Sequence, residues 1–146
     1  MFAIFAQLRF NKVERMFVIK GVRMDKQTLR DFCMGLKGTE ETFPFDAETA
    51  VYKVMGKMFA LIPLERADDL PPTISLKCDP TLAQMLRQTY AAVQPGYHLN
   101  KKHWNTVTCD DTIPPDEVFS WIEDSYALVV KGLRKKDRAE LGALEK

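Results

Sequence analysis

The side chains of this chain best suited to chemistry fall in one stretch, Lys77 to Trp104. It carries Lys77, Arg87, Lys101 and Lys102 against a single acid, Asp79. His98 and His103 lie among these cations, and Tyr97 and Trp104 interleave with them. Cations neutralise phosphates and aromatic faces stack on exposed bases, so the stretch has the chemistry of a nucleic-acid contact. In that reading Lys77, Arg87, Lys101 and Lys102 meet phosphates. His98, Asn100, His103 and the edge of Tyr97 contact bases or fix the loop, and Asn105 reads a base edge or holds the loop. Four cations make a small footprint, suited to weak, salt-sensitive binding. The competing reading is structural, with Trp104 in the core and Lys101-Lys102 as a solvated turn between strands.

Other chemistries find less in the sequence. His98, His103, Cys78 and Cys109 are metal-ligand types, but zinc ligands come in tight pairs. His98 and His103 are separated by Leu99, Asn100 and two lysines whose charge opposes a cation. No motif marks an activated thiol, a Gly-rich phosphate loop or a nucleophile elbow. Asp110-Asp111, between a strand pattern and a proline-led helix pattern, reads as a turn. No catalytic residue, metal or cofactor is therefore assigned, and the chain is read as non-enzymatic. A second basic run, Lys131, Arg134, Lys135, Lys136 and Arg138, is accounted for by the dipole of a helix C-terminus.

The elements that position these residues follow from patterning. Asp25 is an N-cap ahead of Leu29, Phe32, Cys33 and Leu36, which predicts an amphipathic helix ending near Gly38. A polar turn, Thr39 to Thr42, leads to Phe43-Pro44-Phe45. Ala50 to Met55 and Met58 to Ile62 flank Gly56-Lys57, which predicts a hairpin with a Gly-containing turn. Thr73 to Cys78 alternates and reads as a strand with Ile74, Leu76 and Cys78 buried. Asp79-Pro80 starts a helix whose buried stripe is Leu82, Met85, Leu86 and Tyr90. Tyr97 to Asn100 reads as a short extended piece. Trp104 to Cys109 is a strand with Trp104, Thr106 and Thr108 on one side. Pro114-Pro115-Asp116 opens the last long helix, with Val118, Trp121, Ile122, Ser125, Leu128, Val129 and Leu133 as its stripe. This order, α-β-β-β-α-β(β)-α, implies an α+β fold: a two-layer antiparallel sheet with helices on one face.

The 146 residues fit one domain, which at this size buries roughly two-thirds of its unfolded surface without needing a metal or disulfide. Three widely spaced cysteines, Cys33, Cys78 and Cys109, read as reduced thiols and a cytoplasmic protein. The formal charge is only +1, and the basic excess is concentrated in residues 1–23, so any nucleic-acid site must be a local patch. Residues 1–23 are apolar and basic, too short and too charged to span a bilayer, and lack a signal-peptide pattern. Three readings are open for them: an upstream extension ahead of Met24, an added strand pair or helix packed on the domain, or an amphipathic surface anchor.

One stretch carries a family resemblance. It runs Ser75-Leu76-Lys77-Cys78-Asp79-Pro80, Leu86-Arg87, then Pro95 to Asn105 as PGYHLNKKHWN, with Ser125-Tyr126 and Leu128-Val129 downstream. This resembles the MmcQ/YjbR family over residues 24–140, leaving 1–23 as an N-terminal extension and 141–146 as a tail. The resemblance implies a CyaY-like (frataxin-like) fold and a DNA-binding protein with two wing-like hairpins. Iron handling, which a frataxin-like fold suggests, needs an acidic ridge; the first helix offers Asp25 and Asp31, with Glu40 and Glu41 in the next turn, too few for a hard cation. DNA is the expected partner of a monomer. The alternative is a protein- or small-ligand-binding adaptor that uses the open sheet face along Thr73, Ser75 and Lys77.

Overall fold

The computed structural model describes residues 24–144; the readings offered for residues 1–23 lie outside them. The elements in chain order are α1 (Lys26–Met34), β1 (Thr39–Thr42), β2 (Thr49–Val54), β3 (Lys57–Pro63), β4 (Thr73–Lys77), α2 (Pro80–Thr89), β5 (Val93–Pro95), β6 (Trp104–Thr108), α3 (Pro115–Lys131) and α4 (Lys135–Ala143). The strands form one sheet in the order β1-β2-β3-β4-β6-β5, every pair antiparallel. The fold is α+β, with helices on one sheet face, as the pattern requires.

Register decides the faces. Tyr52 pairs with Ala60, Ala60 with Leu76, and Leu76 with Asn105, so these four share the helix face. On that face Leu29, Phe32 and Cys33 of α1 and Val118, Phe119, Ile122 and Val129 of α3 join Tyr52, Val54, Ile62, Ile74 and Val107 in the main core. Phe32 and Phe119 stack with centroids 4.4 Å apart. Each such side chain contributes about 1.5–3 kcal/mol by leaving water. The other face carries a smaller cluster of Val51, Leu61 and Trp104, with Met58 and Leu99 against it.

Two polar devices, one half-buried and one buried, fix the layers. Arg30 of α1 makes a two-pronged contact with Glu41 of β1, both bonds 3.0 Å, and the buried Tyr52 hydroxyl donates to the same carboxylate at 2.6 Å. A β-bulge at Phe59 shifts the β2–β3 register between Tyr52 and Lys53. Beside it, the Ser125 hydroxyl of α3 donates to Phe59 O (2.6 Å) and accepts from Lys77 N (2.9 Å). This serine sits in the apolar stripe because it completes main-chain bonding between β3 and β4.

The structure departs from the sequence pattern in several places. Thr39–Thr42, read as a polar turn, is the edge strand β1; TEET has no apolar residue, and its pairing with β2 and the Arg30–Glu41 contact hold it. α1 ends at Gly35, and Gly38 instead sits at positive φ before β1. The β2–β3 turn is one residue earlier than read, at Met55-Gly56, both at positive φ as a type I′ turn requires. The extended piece at the β5 edge is Val93–Pro95, not Tyr97–Asn100. The stripe assigned to α2 is only partly covered: Ala83 is fully buried, but Met85 is 57% exposed and Leu82 39%. α2 meets the sheet near its edge, where little apolar surface faces it. The last long helix ends at Lys131, before Leu133 of its assigned stripe, and the charged tail forms α4, which buries Leu141.

Candidate nucleic-acid interface

Antiparallel pairing sends both hairpin ends the same way. Val54 pairs with Lys57 at the β2–β3 turn, and Lys77 pairs with Trp104 where β6 leaves the β5–β6 loop. The Met55-Gly56 turn, the β4–α2 junction and the 96–103 loop therefore share one end of the sheet.

The β5–β6 loop is built by side chains as much as by backbone. The Asn100 carbonyl accepts from the His103 and Trp104 amides, and its side chain accepts from Lys102 N at 2.9 Å. Lys101 Nζ donates to Gly96 O at 3.0 Å. Arg87 reaches in from α2 and donates to Asn105 Oδ1 (2.7 Å), Trp104 O (3.2 Å) and Lys101 O. Asn105, buried on the helix face, returns a bond to Ala83 O at 3.3 Å. Gly96 is required by close approach, since a Cβ there would stand 2.7 Å from Trp104 Cβ.

Seven of the eight residues singled out in the sequence reach this end by way of the loop or the adjoining end of β4; Arg87 reaches it only as a brace. Tyr97 is 72% exposed, its ring centroid 3.9 Å from that of His98. His98 takes φ 58, a left-handed conformation that turns its ring toward Tyr97. Asn100, Lys101 and Lys102 are exposed, and His103 is half-buried with its carbonyl accepting from Cys78 N. Lys77 projects from the sheet face shared with Trp104. Arg87 is engaged by three internal acceptors, and Asn100 and Asn105 also serve the loop. Of the four cations read as phosphate contacts, Arg87 is engaged internally, Lys101 gives one donor to Gly96 O, and Lys77 and Lys102 make no side-chain hydrogen bond among the described residues.

Further cations gather at the same end. α3 ends at Lys131, which suits its dipole, but Lys135 and Lys136 open α4, where the dipole opposes a cation. The dipole of a helix C-terminus therefore accounts for Lys131 alone. Asp137, paired with Arg134 at 3.1 Å, is held below the usual carboxylate range by that contact, with Lys136 and Lys57 adding to it. Lys57, next to the hairpin turn, is thereby placed near α4. The sequence signal for it was its position in the hairpin; its proximity to α4 comes only from the fold. Acids are also present at this end, among them Glu40, opposite Lys53, and Asp79, Asp124, Asp137 and Glu140.

The opposite end is acidic. It gathers Asp46, Glu48, Glu65, Asp68, Asp69, Asp110 and Asp111 from the loops between β1 and β2, β3 and β4, and β6 and α3, and Asp116 and Glu117 from the first turn of α3. Lys26 is tied there to Leu64 O, Arg66 O and Asp68, and Arg66 to Pro71 O. Glu48 is pushed up by its hydrogen bond and charge repulsion with Glu65.

Each of the three thiols is shifted up, away from the thiolate form. Burial raises Cys33 well above the usual thiol range and pushes Cys109 up to about 12. Cys78 is raised by desolvation and then by Asp79 and Asp124. Among the described residues no three His, Cys, Asp or Glu side chains converge as metal ligands, and no helix is long and apolar enough to cross a membrane.

Relatives agree with this architecture. The chain is 39% identical over 119 residues to the uncharacterised protein YbdF of Escherichia coli O157:H7, covering 79% of this chain and 95% of that one. It is 34% identical over 110 residues to the uncharacterised protein YjbR of Escherichia coli K12, covering 75% and 91%. The crystal structure of a Deinococcus radiodurans protein with a DUF419 domain superposes with a TM-score of 0.74 at 43% identity, covering 82% of this chain and 89% of that one. The YjbR family model matches residues 34–128, and the chain accordingly belongs to the MmcQ/YjbR family.

Proposed function

We propose that this protein binds nucleic acid, duplex DNA in the first place, through the basic end of its sheet. The observation that carries the reading is the segregation of charge. A chain with a formal charge of +1 collects Lys57, Lys77, Lys101, Lys102, Lys131, Lys135, Lys136 and Arg138 at one end and most of its acidic loops at the other. Such a dipolar surface orients a polyanion toward the hairpin tips even without a large net charge. Tyr97 stands beside the loop lysines and offers a ring to an exposed base or groove wall. The placement of Lys135 and Lys136 against their own helix dipole supports the same reading.

The adaptor reading on the open sheet face has less support. Its polar row is self-satisfied: Ser75 is buried, and its hydroxyl lies 2.8 Å from that of Thr106.

The test is fluorescence anisotropy of labelled duplex and single-stranded DNA with the full chain, from roughly 20 to 200 mM salt. Affinity that falls as salt rises supports the reading. Absence of binding at the lowest salt overturns it.

A further inference from the structure

A cleft of about 310 Å3 opens on the helix side of the sheet, between α2 and α3. Leu76 and Val107 of the sheet form its floor, Leu82 and Leu86 one wall, and Trp121 and Leu128 the other. Its size lies at the lower end of small-ligand pockets, roughly 300–1,000 Å3. Leu82 and Leu128 remain 39% and 37% exposed on the facing walls. The apolar stripe of α2 asks for cover, and the domain leaves it lining open space.

The polar groups around the cleft decide what fits. Asn105 is already occupied by Arg87 and the Ala83 carbonyl. Lys77 contributes main chain only, because its pairing with Trp104 directs its side chain to the opposite sheet face. Lys131 also lines the cleft, but two turns along α3 from Asp124 and roughly 10 Å from it. Asp79 and Asp124 remain, both close enough to Cys78 for their charges to raise its thiol. Asp79 Oδ2 accepts from the Thr81 and Leu82 amides, leaving Oδ1 open. Asp124 is exposed and makes no hydrogen bond or ion pair among the described residues.

We infer that this cleft is a binding site for a small amphiphile, its apolar body between Leu82, Leu86, Trp121 and Leu128 and its cationic end on Asp124 and Asp79. The site is independent of the nucleic-acid reading: its apolar walls have no use for a polyanion.

The test is a 1H–15N NMR titration of the full chain with octylammonium chloride and, as its anionic counterpart, sodium octanoate. Octylammonium is expected to shift Leu82, Leu86 and the Trp121 indole and to bind about tenfold more tightly than octanoate, the size of a charge-assisted contact. Asp124→Asn, an exposed change, should leave the spectrum of the free protein intact and bring octylammonium down to the affinity of octanoate. Leu128→Trp, which fills the cleft from an exposed position, should abolish both. Octanoate binding as tightly as octylammonium, a preference that survives Asp124→Asn, or no response of the cleft residues to either probe would overturn the inference.

Discussion

The β2–β3 hairpin turns over on Met55 and Gly56, whereas the β5–β6 hairpin needs the whole run from 96 to 103. The first is closed by backbone conformation alone: two residues at positive φ, with open space around Gly56. The second is closed by side chains from elsewhere, with Arg87 of α2 as the brace. The difference teaches which residues are available for a partner. A tight turn leaves its flanking Lys57 free to face outward, while a long loop consumes Arg87, Asn100 and Asn105 in its own construction and leaves Tyr97, Lys102 and the remaining donors of Lys101 for contact.

The comparison is broken most severely at Arg87. Arg87→Ala leaves Asn105 Oδ1 and the Lys101 carbonyl without their donor, while Trp104 O keeps the Gly96 amide, and is expected to cost about 3 kcal/mol, read as a lower urea midpoint. Loss of dispersion in the amide signals of residues 96–103 should accompany it. Arg87→Lys should recover less than half, since an ammonium lacks the forked geometry. An Arg87→Ala variant as stable as the parent would mean that the second hairpin needs no brace.

The base of the first hairpin has its own anchor in Arg30, Glu41 and Tyr52. Arg30 holds the Glu41 carboxyl below its ordinary value, with help from the Tyr52 hydroxyl. A depressed folded-state value means the contribution is present above the unfolded value near 4.5 and is lost as pH falls through the folded one. Glu41→Gln should cost about 2 kcal/mol at neutral pH and flatten the acid limb of the stability–pH curve. An unchanged acid limb would show that Glu41 is not the group responsible.

The two glycines sharpen the contrast. Gly96→Ala forces a Cβ against Trp104 and should cost about 2 kcal/mol by overpacking. Gly56→Ala meets nothing within 4 Å and should cost only the left-handed strain, about 1 kcal/mol. Equal costs in chemical denaturation would contradict the distinction drawn between the turns. The smallest expected effect on stability is that of Tyr97→Ala, within about 0.5 kcal/mol. It should nevertheless weaken single-stranded DNA binding by about tenfold if the ring stacks on a base.

What the sequence revealed tracks how local each cause is. Asp25, Asp79-Pro80 and the alternation of Ile74 and Leu76 announce their elements because capping and period are local. β1 was hidden because TEET reads as polar turn, and only the distant Arg30 and the β2 edge make it a strand. Met85 was misplaced for the converse reason: a helical apolar period shows which face is apolar, not whether anything covers it. The candidate interface was legible as a basic stretch, but sequence could not separate Arg87, a structural brace, from Lys102, an exposed cation. Nor could it show that Lys57 lies near α4, since that needs the bulge, the turn and the path of α3 together.

The most direct test of the central claim is the salt dependence of duplex DNA binding for three proteins: the parent, Lys101→Gln/Lys102→Gln, and Lys135→Gln/Lys136→Gln. If both hairpin tip and α4 meet phosphates, each double variant should bind more weakly and lower the log–log salt slope by about 2. Slopes and affinities identical to the parent in both variants would contradict the assignment of the basic end as the nucleic-acid interface.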